Sequence, residues 1–236
     1  MITPGGELAF AVRLLNESVR LRTRVQWYTT MFGKLSSVIA FLPQMKDAGV
    51  HNWAVTEFMR GGPGKTRRWG VGWSWAGRRC ALHVARGAEG LDKKLLPFPS
   101  EYNIHVASSG DTETCLHLGQ RVDDLLSTLE LLHWKWRAAI ATGVGFAGGN
   151  VWSRASRRKA ARPHYRLPDT EMKDAIDSDE DDAEPALGFK IRILPATGTD
   201  AAASTTPCVQ IRWLLGQDAI LFESFCGMIK RKLTSL

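Results

Sequence analysis

KTRRWGVGWSW, the stretch from Lys65 to Trp75, sets how this chain folds. Large and small side chains alternate along its last seven residues with the period of a strand, so Trp69, Val71, Trp73 and Trp75 share one face. Gly70, Gly72 and Ser74 leave the other face thin enough for something to pack closely against it. Lys65, Arg67 and Arg68 put three cations on the glycine-rich turn that enters the strand, and such a turn suits an anionic partner.

Just upstream, WAVTEFM (Trp53 to Met59) alternates in the same way, and Arg60 to Gly64 joins the two runs into a hairpin with a long basic loop. Near the start, Leu8, Val12, Leu15 and Val19 recur at helical spacing, while Arg13, Arg20 and Arg24 share another face. Val25 to Phe32 is rich in β-branched and aromatic residues and predicts a strand. The next helix starts at Ser36 or Ser37, shows Val38, Leu42 and Met45 on its apolar face, and stops near Gly49 with Pro43 inside it. Residues 1–76 therefore read helix, strand, helix, strand, strand, with a parallel crossover followed by an antiparallel hairpin. That is the closing half of a mixed, doubly wound α/β sheet. Its lone first edge implies a truncated chain or a partner.

Residues 77–100 scatter Arg78, Arg79, Arg86, Lys93 and Lys94 among glycines and prolines and suit a linker. A second unit, 101–236, opens with a strand from Tyr102 to Ala107 and an amphipathic helix carrying Val122, Leu125, Leu126, Leu129 and Leu132. Asn150 suits the cap of a short helix bearing Trp152, Arg154, Arg157, Arg158, Lys159 and Arg162. Residues 169–186 lack apolar content and are expected to be disordered. Phe189, Ile191 and Ile193 predict one further strand, Val209, Ile211 and Trp213 another. A last helix, capped by Asp218, turns Leu221, Phe222, Phe225, Met228 and Ile229 inward. The second unit reads as a small α+β domain split by an acidic loop.

Charge is distributed unevenly. Residues 1–100 carry a net +9 and residues 169–186 a net −8, within a total of +7. A basic surface draws phosphate backbones through counterion release, or is simply solvated, and composition leaves both readings open. Hydrophobic residues make up 44%, enough for a core. No secretion signal opens the chain and no apolar run approaches the ~20 residues of a membrane span, so a soluble protein without membrane or metal partners is expected. The four cysteines, without CxxC spacing, suit a reducing compartment.

Several motifs give way to simpler readings. Gly61 to Thr66 ends like a phosphate-binding loop, but the required earlier glycine falls at Met59 and a strand follows instead of a helix. Gly143, Gly145 and Gly148 match GxGxxG without a clear preceding strand, and read as a flexible turn. Cys115 and His117 have no recurring partner spacing for zinc, and Ser74 has no base beside it. Two basic clusters remain, Lys65 to Arg68 and Arg154 to Arg162. Each has an indole neighbour, Trp69 or Trp152, which pairs phosphate contacts with a stacking face as RNA requires. For the second cluster a solvated helix face competes.

TPGGELAF (Thr3 to Phe10), VQWYTTMFGK (Val25 to Lys34), VTEFMRG (Val55 to Gly61) and GKTRRWGVGWSW (Gly64 to Trp75) resemble the C-terminal half of the catalytic domain of the U6 small nuclear RNA adenine-N6 methyltransferase family, kin of bacterial 23S ribosomal RNA methyltransferases. GNVWSRASRRKAAR (Gly149 to Arg162) and Val209 to Leu233 are similar, more loosely, to the RNA-binding domain of its eukaryotic members, which resembles a kinase-associated-1 fold. The resemblance implies an incomplete Rossmann-like class I sheet followed by that α+β domain. It implies S-adenosylmethionine-dependent methylation of structured, U6-like RNA by the full-length family. The cofactor strands and the Asn-Pro-Pro-Phe loop are absent here, so no catalytic or cofactor-binding residue is assigned and this chain alone is expected to be inactive and to bind no cofactor. RNA contacts carry over to Lys65, Arg67, Arg68, Arg154, Arg157, Arg158 and Lys159, with Lys65 standing where better-known members have arginine. Nuclear residence, with the cytoplasm as a second compartment, also follows from the resemblance. Two other readings stay open: a non-catalytic RNA-binding protein derived from such an enzyme, and an interaction module whose acidic island recruits basic partners.

Overall fold

The computed structural model describes residues 4–59, 66–106, 115–154, 156, 158, 184–195 and 207–234. They form two compact units, one of residues 1–104 with 210–219 and the other of 105–209 with 220–236. Among the described residues no helix is long and apolar enough to cross a membrane. The acidic stretch up to residue 183 lies outside the described residues.

The first unit runs α1 (Gly6–Leu21), β1 (Tyr28–Phe32), α2 (Leu35–Asp47), β2 (Asn52–Met59) and β3 (Arg67–Ser74). β3 lies between β1 and β2 and is antiparallel to both, so the hairpin and the parallel crossover are both present. β1 starts three residues later than the composition suggests, because Arg22–Arg24 first make a 3-10 turn. Pro43 is tolerated within α2 because the carbonyl its missing N–H leaves unpaired belongs to Ile39, on the exposed side of the helix.

The tryptophan face of β3 forms the core, with Trp69, Val71, Trp73 and Trp75 all buried beneath α1 and α2. Tyr28 stacks on Trp73 at 5.8 Å and Phe41 meets the same ring edge-on at 5.6 Å. Buried indoles need acceptors for their N–H groups. Ser18 of α1 supplies one for two of them: Trp73 Nε1 donates to its Oγ at 2.9 Å and Trp75 Nε1 at 3.1 Å, while the hydroxyl donates to the Leu15 carbonyl at 2.7 Å.

The expected linker is instead built into the first unit. Its residues form α3 (Leu82–Ala85) and β4 (Arg86–Gly87), which pairs parallel with β2, and Ala88 and Leu91 are buried in the core. Arg79 fixes this segment to residues 210–219. Its guanidinium lies 3.7 Å over the Trp213 ring, its Nε donates to the Gly216 carbonyl and an Nη to that of His51, each at 2.8 Å. Burial draws its pKa down to about 10. Glycine and proline content suggested a tether, but a half-hidden cation with three carbonyl and ring partners is an anchor.

The second sheet has the order β5-β9-β8-β7-β6, from β5 (Glu101–His105), β6 (His133–Arg137), β7 (Thr142–Ala147), β8 (Leu187–Leu194) and β9 (Cys208–Leu215). Helices α4 (Cys115–Ser127) and α5 (Ala219–Thr234) belong to the second unit, where Phe189 meets Phe225 at 4.2 Å. The glycines of the GxGxxG match lie in strand β7 and its exit rather than in a turn. A Cβ on Gly143 would collide with the rings of Trp134 and Trp136, and one on Gly145 with Phe189. These two glycines therefore make room for aromatic rings.

Candidate functional site

In open α/β sheets ligands meet the carboxyl ends of the parallel strands. β1 and β2 end on one edge of the first sheet, where Phe32 pairs with Trp69 and Met59 with Arg67 at the start of β3. The first two residues of β3, Arg67 and Arg68, thus stand at that edge. Arg67 and Arg68 are both exposed there, while Lys65 lies outside the described residues. Arg67 Nε stands 3.3 Å from Glu57 Oε1 without a hydrogen-bond alignment, and its side chain keeps 61% of its surface in water. Such a pair contributes about 0–1 kcal/mol. The Arg68 guanidinium donates to the neighbouring Arg67 carbonyl at 3.1 Å and to no carboxylate among the described residues.

Arg68 also borders the start of α2, because a Cβ on Gly33 would come within 3.7 Å of its Nη1. The backbone N–H groups of Gly33 and Lys34 donate to Glu7, at 2.6 and 3.1 Å. Burial acts to raise the Glu7 carboxyl, but hydrogen bonds from Ser37, Gly33 and Lys34 and the Lys34 charge outweigh it and hold the group below its usual range. The carboxylate follows a turn at the start of α1, where Gly5 and Gly6 take left-handed conformations, φ 78° and 71°. A Cβ on Gly5 would stand 2.7 Å from Ala9. Glu7 is therefore committed internally to the α1–α2 junction, and among the described residues Lys34, Arg67 and Arg68 are outward charges on this edge. The arrangement can dock an anion.

The second predicted cluster belongs to the second unit. Arg154 and Arg158, four residues apart on helical backbone, are both exposed, and Arg157 and Lys159 lie outside the described residues. The stacking role expected of the two indoles is corrected. Trp69 is buried in the first core, and Trp152 packs edge-on against Phe225 at 5.0 Å while its Nε1 donates to Ser224. Alternation explains Trp69: it shares a strand face with Val71 and Trp73, and that face packs into the core of the first unit. No group of three or more His, Cys, Asp or Glu side chains among the described residues could hold a metal.

Sequence reasoning missed a pocket. The thin face of β3 opens into an apolar cavity of about 510 Å³ lined by Trp27, Met31, Phe58, Gly70, Gly72 and Val84. The signal was the glycine alternation itself, combined with Phe58 and Met31 on neighbouring strands.

Residues 1–77, which hold all of the edge just described, match a protein-family model described as RNA methyltransferase. Along 99% of its length the chain is 27% identical to the U6 small nuclear RNA (adenine-(43)-N(6))-methyltransferase of Schizosaccharomyces pombe, covering 51% of that protein. The chain is a relative of the U6 small nuclear RNA adenine-N6 methyltransferases. It is 24% identical over 99% of its length to the RNA N(6)-adenosine-methyltransferase mettl16 of Danio rerio, covering 53% of it. It thus spans about half the length of these curated relatives. A solved structure, the hMettl16 catalytic domain in complex with a MAT2A 3'UTR hairpin, is 35% identical over 32% of this chain and 25% of its own, with a TM-score of 0.30. Glu7, Gly33, Lys34, Arg67 and Arg68 all fall inside residues 1–77, the segment that matches the RNA methyltransferase model.

Proposed function

We propose that these 236 residues supply RNA-binding surface to an S-adenosylmethionine-dependent RNA adenine-N6 methyltransferase of the U6 type, and that the cofactor and the acceptors for the target amine come from outside them. The observation that carries this reading is the exposed Arg68, at the carboxyl edge of β1 and β2 within the RNA methyltransferase segment. The order of the first sheet supports a closing portion of a Rossmann-like sheet, and the second unit is read as the kinase-associated-1-like RNA-binding domain. Arg67 and Arg68 hold phosphates of a folded transcript, with Lys65 beside them in sequence. Arg154, Arg157, Arg158 and Lys159 form a second contact, and the protein works in the nucleus.

The adenine N6 amine is a weak nucleophile because its lone pair is delocalised into the ring, so methylation requires acceptors that position it beside the methyl donor. S-adenosylmethionine would supply the methyl group. The apolar pocket is lined by no charged side chain, with the hydroxyls of Thr29, Thr30 and Thr56 and the Cys80 thiol among its polar groups, which supports a cofactor site outside these residues.

Two titrations test the reading. Calorimetry of the full chain with S-adenosylmethionine should show no binding, and micromolar affinity would overturn the assignment of the cofactor site elsewhere. Filter binding to a hairpin RNA at 0.1 M salt should weaken severalfold in R154A/R158A, as expected when two cations that face phosphates are removed. Unchanged affinity would remove the second cluster from the interface.

A further inference from the structure

Strands β6, β7 and β8 of the second unit have an outer face that carries no functional assignment. Trp134, Trp136, Phe189 and Ile191 face inward, so the alternate residues of β6, β7 and β8 face away from α4 and α5. Register aligns them in rows. Lys135 lies opposite Val144, which lies opposite Lys190, and Arg137 lies opposite Thr142, which lies opposite Arg192. His133 pairs with Phe146 in the adjoining row, their rings 6.4 Å apart.

Four cations therefore stand on one strip three strands wide. Neighbouring strands are about 4.8 Å apart and alternate residues about 6.7 Å apart, so each cation has others within about 10 Å, a Debye length at 0.1 M salt. They repel one another, and no acidic residue occurs in β6, β7 or β8 to relieve this. None of the four side chains forms a hydrogen bond or ion pair with another described residue. Lys135, Arg137 and Arg192 are exposed, and Lys190 is half-buried. A charge strip that no described acidic residue pairs is complementary to a polyanion. The ring pair at its end narrows the choice, because an acidic polypeptide needs only the charges whereas unpaired bases stack on aromatic faces.

We propose that the outer face of β6–β8 binds a single-stranded RNA segment, with phosphates on Lys135, Arg137, Lys190 and Arg192 and a base stacked on the His133–Phe146 pair. The choice of RNA over other polyanions rests on the function proposed above. The face is separate from both predicted clusters, so the two ideas can fail independently.

The test measures fluorescence anisotropy of the full chain with a labelled single-stranded oligouridine of about ten nucleotides, across a salt series. The quadruple variant K135Q/R137Q/K190Q/R192Q should bind ten- to several-hundredfold more weakly near 0.1 M salt, with a salt slope shallower by roughly 0.7 for each phosphate no longer neutralised. F146L keeps apolar packing but removes the ring, and should cost about fivefold or more. Thermal melts of both variants confirm that the fold is retained. Wild-type affinity and slope in the folded quadruple variant would overturn the proposal, and retained sensitivity of hairpin binding to R68A would leave the broader function standing. Binding of polyglutamate as tight as that of RNA, indifferent to F146L, would assign the face to an acidic polypeptide and likewise overturn it. A chain that binds neither RNA would sink both ideas together.

Discussion

Replacing Ser18 by alanine removes one hydroxyl and leaves two indole N–H groups without their acceptor. Trp73 is completely buried and Trp75 nearly so, at 0% and 7% exposure, so water cannot readily take the place of Ser18 Oγ. An unsatisfied buried donor costs about 1–3 kcal/mol. Two donors, eased by some relaxation of the more exposed Trp75, predict a loss of about 2–4 kcal/mol. Hydrogen–deuterium exchange of peptides from α1 and β3 reads this locally, whatever the second unit does. Protection there should fall roughly thirty- to several-hundredfold, at about a factor of ten per 1.4 kcal/mol. W75F should cost less in the S18A background than in the wild type, since its partner has already gone. A loss under threefold, or strict additivity of the two substitutions, would refute the claim that Ser18 organises the tryptophan face.

Gly143→Ala should destabilise the second unit by about 1–3 kcal/mol through collision with Trp134 and Trp136, seen as earlier loss of exchange protection in β6 and β7. Arg79→Lys keeps the charge but loses the planar fork that reaches Gly216 and His51 and the face lying on Trp213, and should cost about 1–3 kcal/mol in thermal unfolding of the first unit. The Glu7 carboxyl is held below its ordinary value of 4.5, so its stabilisation is present above that pH and is lost as pH falls through the folded value. The amide resonances of Gly33 and Lys34 should therefore move together in one step below pH 4.5, and that step should be absent in Glu7→Gln.

Much of the first unit was legible because its pattern is local. A seven-residue alternation of indole and glycine states both the strand and its faces, and the Gly-Gly-Glu start of α1 is equally explicit. The anchoring of residues 77–100 was not legible, because Arg79 finds its partners more than 130 residues away at Gly216 and Trp213, and composition carries no trace of that pairing. Strand β6, HWKWR, escaped notice because the leucines before it extend a helical period past the point where α4 stops at Ser127. Gly143 and Gly145 read as turn residues when considered alone, and only the indoles across the hairpin explain them. The basic clusters were visible, but adjacency in sequence misled about the tryptophans beside them: Trp69 shares the core face of Val71 and Trp73, and Trp152 packs on Phe225.

The sharpest test is the salt dependence of hairpin RNA binding by the full chain, compared between wild type and Arg68→Ala. If Arg68 holds a phosphate at the carboxyl edge of β1 and β2, the variant should bind severalfold more weakly at 0.1 M salt, with a slope shallower by about 0.7–0.9 and the difference fading as salt rises. Identical affinity and slope in a folded variant would contradict that role for Arg68, as would a defect confined to high salt.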